Sequence, residues 1–227
     1  CISCRPAHLE PRAAVGDRFA RIDFIAPSLC ARLGVPLPYD AGDGSLSAAA
    51  IASPPVYDRA RAAARYSDTM RELVQSFKYR DRHEGLPLFA RWLAKAGAEL
   101  LADADLIVPV PLYPARLWWR RFNQSAMLAL AVGRLSGVPV DCAALKRIKR
   151  TASQVGLSAE QRRRNVRGAF KVDRAHAVGV RGKNIVVVDD VITTGATAES
   201  CARALKRAKA ARVDILALAR AVEPTAF

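Results

Sequence analysis

The sequence predicts an α/β protein, a mostly parallel sheet carrying helices on both faces, with a small irregular lobe in front of it. Three observations lead there. From residue 60 onward, short apolar runs alternate with stretches of helical periodicity, the order that builds parallel sheets through crossover helices. The run Asn184, Ile185, Val186, Val187, Val188 has no polar alternation, as expected of a strand covered on both faces. Residues 1–59 lack sustained periodicity of either kind and are rich in Pro, Gly and Ala. The expected organisation is a lobe over 1–59 and a core domain over 60–227. A chain of 227 residues with 51% hydrophobic composition can bury one sizeable core plus such an appendage.

In chain order, residues 60–66 read as the first strand. Ser67 is placed to cap a helix with Met70, Leu73, Val74 and Phe77 on one face, which should dock on the sheet. A second helix is expected over 86–101. Leu106, Ile107, Val108, Pro109, Val110 and Pro111 form a strand running into a rigid turn. Residues 123–135 are helical, and Val138-Pro139-Val140 suggests a short strand. Residues 146–170 are crowded with Arg, Lys, Gln and Asn and have little apolar pattern, so a long loop or mobile basic arm is expected. The core resumes with the strand that ends at Asp189, a helix over 196–209 and a last strand over 213–218.

A net charge of +15 and a pI near 10.3 favour polyanionic partners, whether a pyrophosphate-bearing substrate, nucleic acid or an acidic surface. An arginine-rich solvated surface is the alternative. No run reaches the roughly 18 consecutive apolar residues of a membrane span, and no signal peptide is legible, so a cytoplasmic protein is expected. Cys1, Cys4, Cys30, Cys142 and Cys201 are scattered, which argues against a disulfide framework in that setting. The chain starts at Cys1 and not at Met, so further residues upstream are expected.

The chemistry concentrates after the strand at 184–188. Ligands in open α/β sheets sit at the carboxyl ends of strands, where the following helix offers unpaired N–H groups and the positive end of its dipole. Thr193, Thr194 and Thr197 add hydroxyls, and Gly195 lets backbone approach an anion closely; no Lys supplies a point charge. Asp189 and Asp190 would repel a phosphate, but they can accept hydrogen bonds from a vicinal diol or hold a hydrated Mg2+. Together these groups describe a ribose 5-phosphate site. The bland alternative is an ordinary strand, turn and helix with an Asp at the strand end and a Thr cap. Neither G-x-x-x-x-G-K-[ST] nor a G-x-G-x-x-G opening a helix after a strand is present.

Residues 185–197 run as four apolar residues, two acids, two apolar residues and a small Thr/Gly loop, which resembles the signature of type I phosphoribosyltransferases. The resemblance implies that Asp189 and Asp190 hold the ribose hydroxyls of phosphoribosyl pyrophosphate (PRPP), and that Thr193, Thr194, Gly195, Ala196 and Thr197 hold its 5-phosphate. PRPP needs a second anion pocket. Arg116, Arg120 and Arg121 offer planar forks for pyrophosphate, and Asn123 and Gln124 open a helix with free N–H groups. Trp118, Trp119 and Phe122, between those arginines, are expected to pack as core. A third part is the basic arm with Arg150, Thr151 and Gln154, which lies where that family closes a flexible loop over its substrate. By composition the arm could equally be an exposed helix with a charged face.

Val108-Pro109-Val110-Pro111, Arg121-Phe122-Asn123-Gln124, Arg150-Thr151 with Gln154 and Leu157, and Arg163-Asn165-Val166-Arg167-Gly168-Ala169-Phe170 narrow the resemblance to the ComF family of competence-associated phosphoribosyltransferase-like proteins, over roughly residues 54–227. The resemblance implies a type I phosphoribosyltransferase-like fold, PRPP or a related ribose phosphate as ligand with Mg2+, and a role in DNA uptake during natural transformation. Single-stranded DNA and competence helicase-type proteins are the implied partners. Two functions stay open: transfer of phosphoribosyl to an acceptor with release of pyrophosphate, or a non-catalytic DNA-binding or PRPP-sensing factor. No catalytic residue is assigned, because Thr193 stands where purine-specific relatives often place an Asp base, and a hydroxyl cannot take that proton near neutral pH. Several family members carry an N-terminal zinc ribbon. Here Cys1 and Cys4 make one pair, but Leu33 stands opposite Cys30, Ser47 and Ala50 replace another pair, and Val15 and Arg18 fill further positions. With His8 the only other soft ligand in reach, a degenerate metal-free lobe is expected, without zinc.

Overall fold

The computed structural model describes residues 21–38, 42, 44–79, 85–151 and 158–222. Its elements are α1 (Ala48–Ala52), β1 (Arg59–Arg65), α2 (Asp68–Tyr79), α3 (Leu86–Ala96), α4 (Ala98–Ala102), β2 (Leu106–Pro109), α5 (Pro114–Arg120), α6 (Gln124–Ser136), β3 (Leu145–Arg147), α7 (Ala159–Val166), β4 (Phe170–Val172), α8 (Ala177–Val180), β5 (Asn184–Ile192), α9 (Ala196–Arg207) and β6 (Arg212–Arg220). Four strands form one parallel sheet in the order β1-β6-β5-β2, and β3 and β4 pair antiparallel beside it. Cys1, Cys4, His8, Val15, Arg18, Gln154 and Leu157 lie outside the described residues.

The valine run explains the position of β5. Ile185 and Val187 enter the apolar cluster shared with α9, while Val186 and Val188 enter the opposite cluster with α2, α3 and α6. All four are 0–1% exposed, and each such burial contributes roughly 1.5–3 kcal/mol. Helices therefore cover both faces, as the pattern predicts. On the α2 face Met70, Val74 and Phe77 are buried, and Phe77 meets the ring of Phe89 edge-on at 5.6 Å. The Ser67 hydroxyl accepts the Met70 N–H, so the expected cap forms.

Four elements differ from the sequence reading. β5 does not stop at the acids but continues to Ile192, because the long neighbour β6 still offers partners out to Arg220. The single helix expected over 86–101 breaks at Gly97, where a Cβ would lie 2.7 Å from a methyl of Leu216; the helix end closes onto the sheet there. Val138-Pro139-Val140 makes only an isolated bridge from Val140 to Ile107, seated against α6 where the absent Cβ of Gly133 leaves room. The described part of the basic arm is regular and not a long loop, and α7 within it is the exposed, charged helix that its composition also allowed. β3, α7 and β4 lie within or beside it, and α7 starts with a reciprocal cap in which the Ser158 hydroxyl accepts the Gln161 N–H and the Gln161 side chain accepts the Ser158 N–H. Val166, Ala169 and Phe170 anchor it in the core. Three apolar anchors among many charges are too few to show as periodicity.

Residues 22–25 run antiparallel to β1, with an isolated bridge from Phe24 to Ala64 and the Ile25 N–H on the Ala63 carbonyl. Further on, Cys30 is buried and its Sγ accepts the N–H groups of Leu33 and Ser47. Burial alone would raise that thiol's pKa, but hydrogen bonds from Ser47, Leu33 and Arg32 outweigh it and bring it below the usual value. At the amino end of the sheet, Asp214 is 1% exposed and bound by Arg59 and Arg212, both of which also reach Asp103.

Candidate functional site at the carboxyl end of the sheet

The site begins where β2 stops. Its last pairing places Pro109 opposite Val188, and the chain then leaves through Val110, whose N–H still reaches the Val188 carbonyl. Asp189 is the next residue of β5. Its Oδ1 accepts the Ser125 hydroxyl at 3.1 Å and the Asp190 N–H at 2.9 Å. Ser125 is placed by Asn123, which caps α6 through the Ser125 N–H and donates its own amide to the Val110 carbonyl at 3.0 Å. Asn123 thus ties the helix start to the end of β2, and Gln124 is buried beside it. Both acids are half-buried, close enough to protein donors to be oriented and open enough to meet a ligand.

Past Ile192 the chain turns through Thr193 and Thr194 into Gly195, which has φ +76 and precedes the first residue of α9. That left-handed conformation favours glycine. No side chain caps α9, so its first N–H groups remain available to an anion. Ala196 is buried and Thr193 and Thr197 are half-buried, while the Thr194 hydroxyl is buried with no hydrogen-bond partner among the described residues.

A cleft of about 250 Å³ is lined by Tyr113, Ala115, Arg116, Arg147, Arg150 and Thr151. It joins two segments that the sequence keeps apart, one at the start of α5 and one after β3. The segment read as a turn is helical from Pro114, which its own proline favours at a first helical position. Arg121 follows in a left-handed conformation, φ +64, with its side chain exposed. The side chains of Arg120 and Trp119 lie outside the described residues. Trp118 is 84% exposed, so the expected aromatic core is absent at that position; α5 turns it to solvent.

Sequence reasoning missed Arg147. It is 9% exposed, stacks over the Phe170 ring at 5.3 Å, donates to the Thr151 hydroxyl and leaves its Nε without a partner among the described residues. Burial holds its pKa below the usual arginine value, the like charge of Arg116 adds to that, and Cys201 and Asp189 oppose it. The guanidinium therefore feels both the charge of Asp189 and that of Arg116. The only sequence signal was a charge at an inward position of a short strand, in a stretch where four of the six residues 145–150 are basic. Ser125 gave no signal at all.

A second, larger groove of about 430 Å³ runs between α7 and α9 and is lined by Arg163, Arg164, Arg167, Arg203 and Arg207 with Glu199. Among the described residues no group of three or more His, Cys, Asp or Glu could hold a metal, and no helix is long and apolar enough to cross a membrane.

A parallel sheet with helices on both faces, an acid pair on its central strand and a Thr/Gly loop before a helix define a type I phosphoribosyltransferase-like domain. A family model described as phosphoribosyl transferase domain matches residues 137–226. The chain is 35% identical over 199 residues to the DNA utilization protein YhgH of Salmonella typhi, covering 85% of this chain and 84% of that protein. It is 31% identical over 183 residues to competence protein F of Haemophilus influenzae, with 74% and 75% covered. Among solved structures, an allosteric regulatory enzyme of purine biosynthesis aligns with a TM-score of 0.43 at 22% identity, over 63% of this chain and 29% of that one. The chain belongs to the ComF family.

Proposed function

We propose that this chain binds PRPP at the carboxyl end of its sheet, as a ComF-type phosphoribosyltransferase-like protein acting in DNA uptake. One observation carries the reading. An acid pair and Thr/Gly loop, suited to a ribose 5-phosphate, share the domain with a cleft that gathers Arg116, Arg147 and Arg150, suited to a pyrophosphate, and the charge of Arg147 is felt together with that of Asp189. In the bound complex Asp189 and Asp190 accept the ribose hydroxyls, residues 193–197 hold the 5-phosphate and the arginines face the pyrophosphate. Mg2+ fits this set as an ion that arrives on substrate oxygens and keeps its waters. Two carboxylates of hard oxygen donors suit such an ion without forming a cage. When bound, it would neutralise the pyrophosphate.

If transfer occurs, a nucleophilic lone pair on the acceptor forms the new bond to C1 of the ribose. The C1–O bond breaks and its electron pair leaves with pyrophosphate. The protein's part is to position and neutralise. Thr193 offers no base, so the acceptor is one that needs no strong deprotonation or brings its own. The test is calorimetric titration of PRPP with Mg2+ into the parent chain and into a double variant with Asp189→Asn and Asp190→Asn, followed by a pyrophosphate-release screen over acceptors including nucleic acid. Binding by the parent and a loss of about tenfold or more in the variant is the expected outcome. No binding by the parent would overturn the proposal.

A second reading, a DNA-binding or PRPP-sensing factor without catalysis, draws support from the α7–α9 groove. Its five arginines meet two engaged carboxylates, Glu199 on Arg203 and Glu160 on Arg164, an excess of positive charge suited to a phosphate backbone. Helicase-type competence proteins are the partners this reading proposes.

A further inference from the structure

The Thr/Gly loop has a physical gap in its charge balance. It must hold a phosphate monoester, yet no lysine or arginine stands in residues 193–197, and the two neighbouring charges, Asp189 and Asp190, are negative. Backbone N–H groups and hydroxyls can bind such a group, but a fixed cation would offset the repulsion from the acids.

The last residue of β6 supplies one. Arg220 is 7% exposed, and its backbone pairs in register with Ile192, the residue just before the loop. Its guanidinium donates to the hydroxyl of Tyr57, itself 2% exposed. That hydroxyl lies 3.8 Å from where a Cβ on Gly195 would be, so Tyr57 stands between the arginine and the loop. Its Nε and Nη1 are buried with no hydrogen-bond partner among the described residues, and so is the Thr194 hydroxyl in the loop itself.

Two unfilled donors on a buried cation are costly in a purely structural role, because a buried charge is retained at little cost only when paired. Among the described residues Arg220 forms no ion pair. Glu199, whose charge reaches Tyr57, is engaged with Arg203 at 3.0 Å, and Asp58 is engaged with Lys206 at 2.7 Å. With no anion paired to Arg220 among the described residues, a ligand anion would complete it, and the loop with an uncapped helix start is the seat it suits.

We infer that Arg220, set on Tyr57 beneath Gly195, is the cationic floor of the 193–197 loop and supplies the counter-charge for a bound phosphate monoester. The inference rests on the proposed PRPP reading and deepens it: the Thr/Gly loop selects a phosphate end through a residue far along the chain. Arg220 is a binding residue here, with no part in bond making.

The test uses the full chain with ribose 5-phosphate and inorganic pyrophosphate as separate probes, alongside PRPP with Mg2+. Arg220→Met should weaken ribose 5-phosphate and PRPP by about 10- to 100-fold, the range of a lost charge-assisted hydrogen bond, and leave pyrophosphate unchanged. Arg220→Lys should recover part of the loss. A structural role would instead show as a lower melting temperature without ligand. The double variant Tyr57→Phe with Arg220→Met, which removes both partners together, should melt no lower than the parent but lose the stabilisation by ribose 5-phosphate. Equal affinity of parent and Arg220→Met for ribose 5-phosphate would overturn this inference while leaving the PRPP reading intact. A parent that binds neither ribose 5-phosphate nor PRPP would overturn both.

Discussion

The Ser125 hydroxyl donates to Asp189 Oδ1 at 3.1 Å, joining the start of α6 to the acid pair of β5. Through Asn123 the same helix start is held by Val110 at the end of β2. The orientation of the acid is therefore set by two neighbouring strands and the helix between them. Ser125→Ala leaves Asp189 one donor short in a site where Ser125 is 5% exposed. A hydrogen bond to a charged group contributes about 1.5–3 kcal/mol, so PRPP affinity should fall by roughly 10-fold or more by calorimetry. The folded structure should survive, as judged by circular dichroism. Unchanged affinity would mean that Asp189 needs no such anchor.

Arg147 lines the cleft proposed for pyrophosphate, and its buried Nε has no partner among the described residues, which suits it as a donor there. Arg147→Met should weaken inorganic pyrophosphate by about tenfold, with a smaller loss for the more exposed Arg150→Ala. Ribose 5-phosphate should bind both variants as it binds the parent. A loss on both probes would show that Arg147 shapes the fold and not the cleft.

Arg121 holds φ +64 with its side chain exposed. Left-handed backbone costs an ordinary residue about 1 kcal/mol, so Arg121→Gly should raise the denaturation midpoint by a corresponding amount. Pyrophosphate affinity should fall at the same time if the exposed guanidinium contacts it. A lower midpoint would show that side-chain contacts outweigh the backbone strain.

For the nucleic-acid reading, replacing Arg163, Arg164 and Arg167 together by Ala should weaken single-stranded DNA binding. Removing three phosphate contacts should flatten the log–log salt dependence by about 2, since each contributes about 0.7 on single strands. A parent and variant with the same slope, measured by fluorescence anisotropy across salt, would remove the α7–α9 groove from the account.

Asp214 gives the control. It is a buried carboxylate at the amino end of the sheet, held by Arg59 at 2.7 Å and Arg212 at 3.0 Å, away from the acid pair. Asp214→Ala strands two cations and should destabilise the fold by about 3–5 kcal/mol in chemical denaturation. PRPP affinity of the remaining folded protein should be that of the parent. A change in affinity without a change in stability would reverse the assignment.

The sequence alone determined the sheet-and-helix order, the burial of 185–188 on both faces and the loop of Thr193, Thr194 and Gly195. Each is a local property: periodicity reports which faces are covered, and glycine and threonine report the backbone and hydroxyls available within a few residues. It also named Arg116, Arg150 and Thr151, although from separate segments. Only the tertiary structure decided that these three line one cleft. It also showed that the basic arm folds as β3, α7 and β4 on three apolar anchors, and that Trp118 faces solvent. Above all it brought Ser125 to Asp189, Arg147 to Phe170 and Arg220 to Tyr57. Their roles depend on what lies across the fold, Asp189 for the first, Phe170 for the second and Tyr57 for the third. A buried arginine looks like any other in a chain with 36 basic residues, because burial and missing partners arise only when distant segments meet.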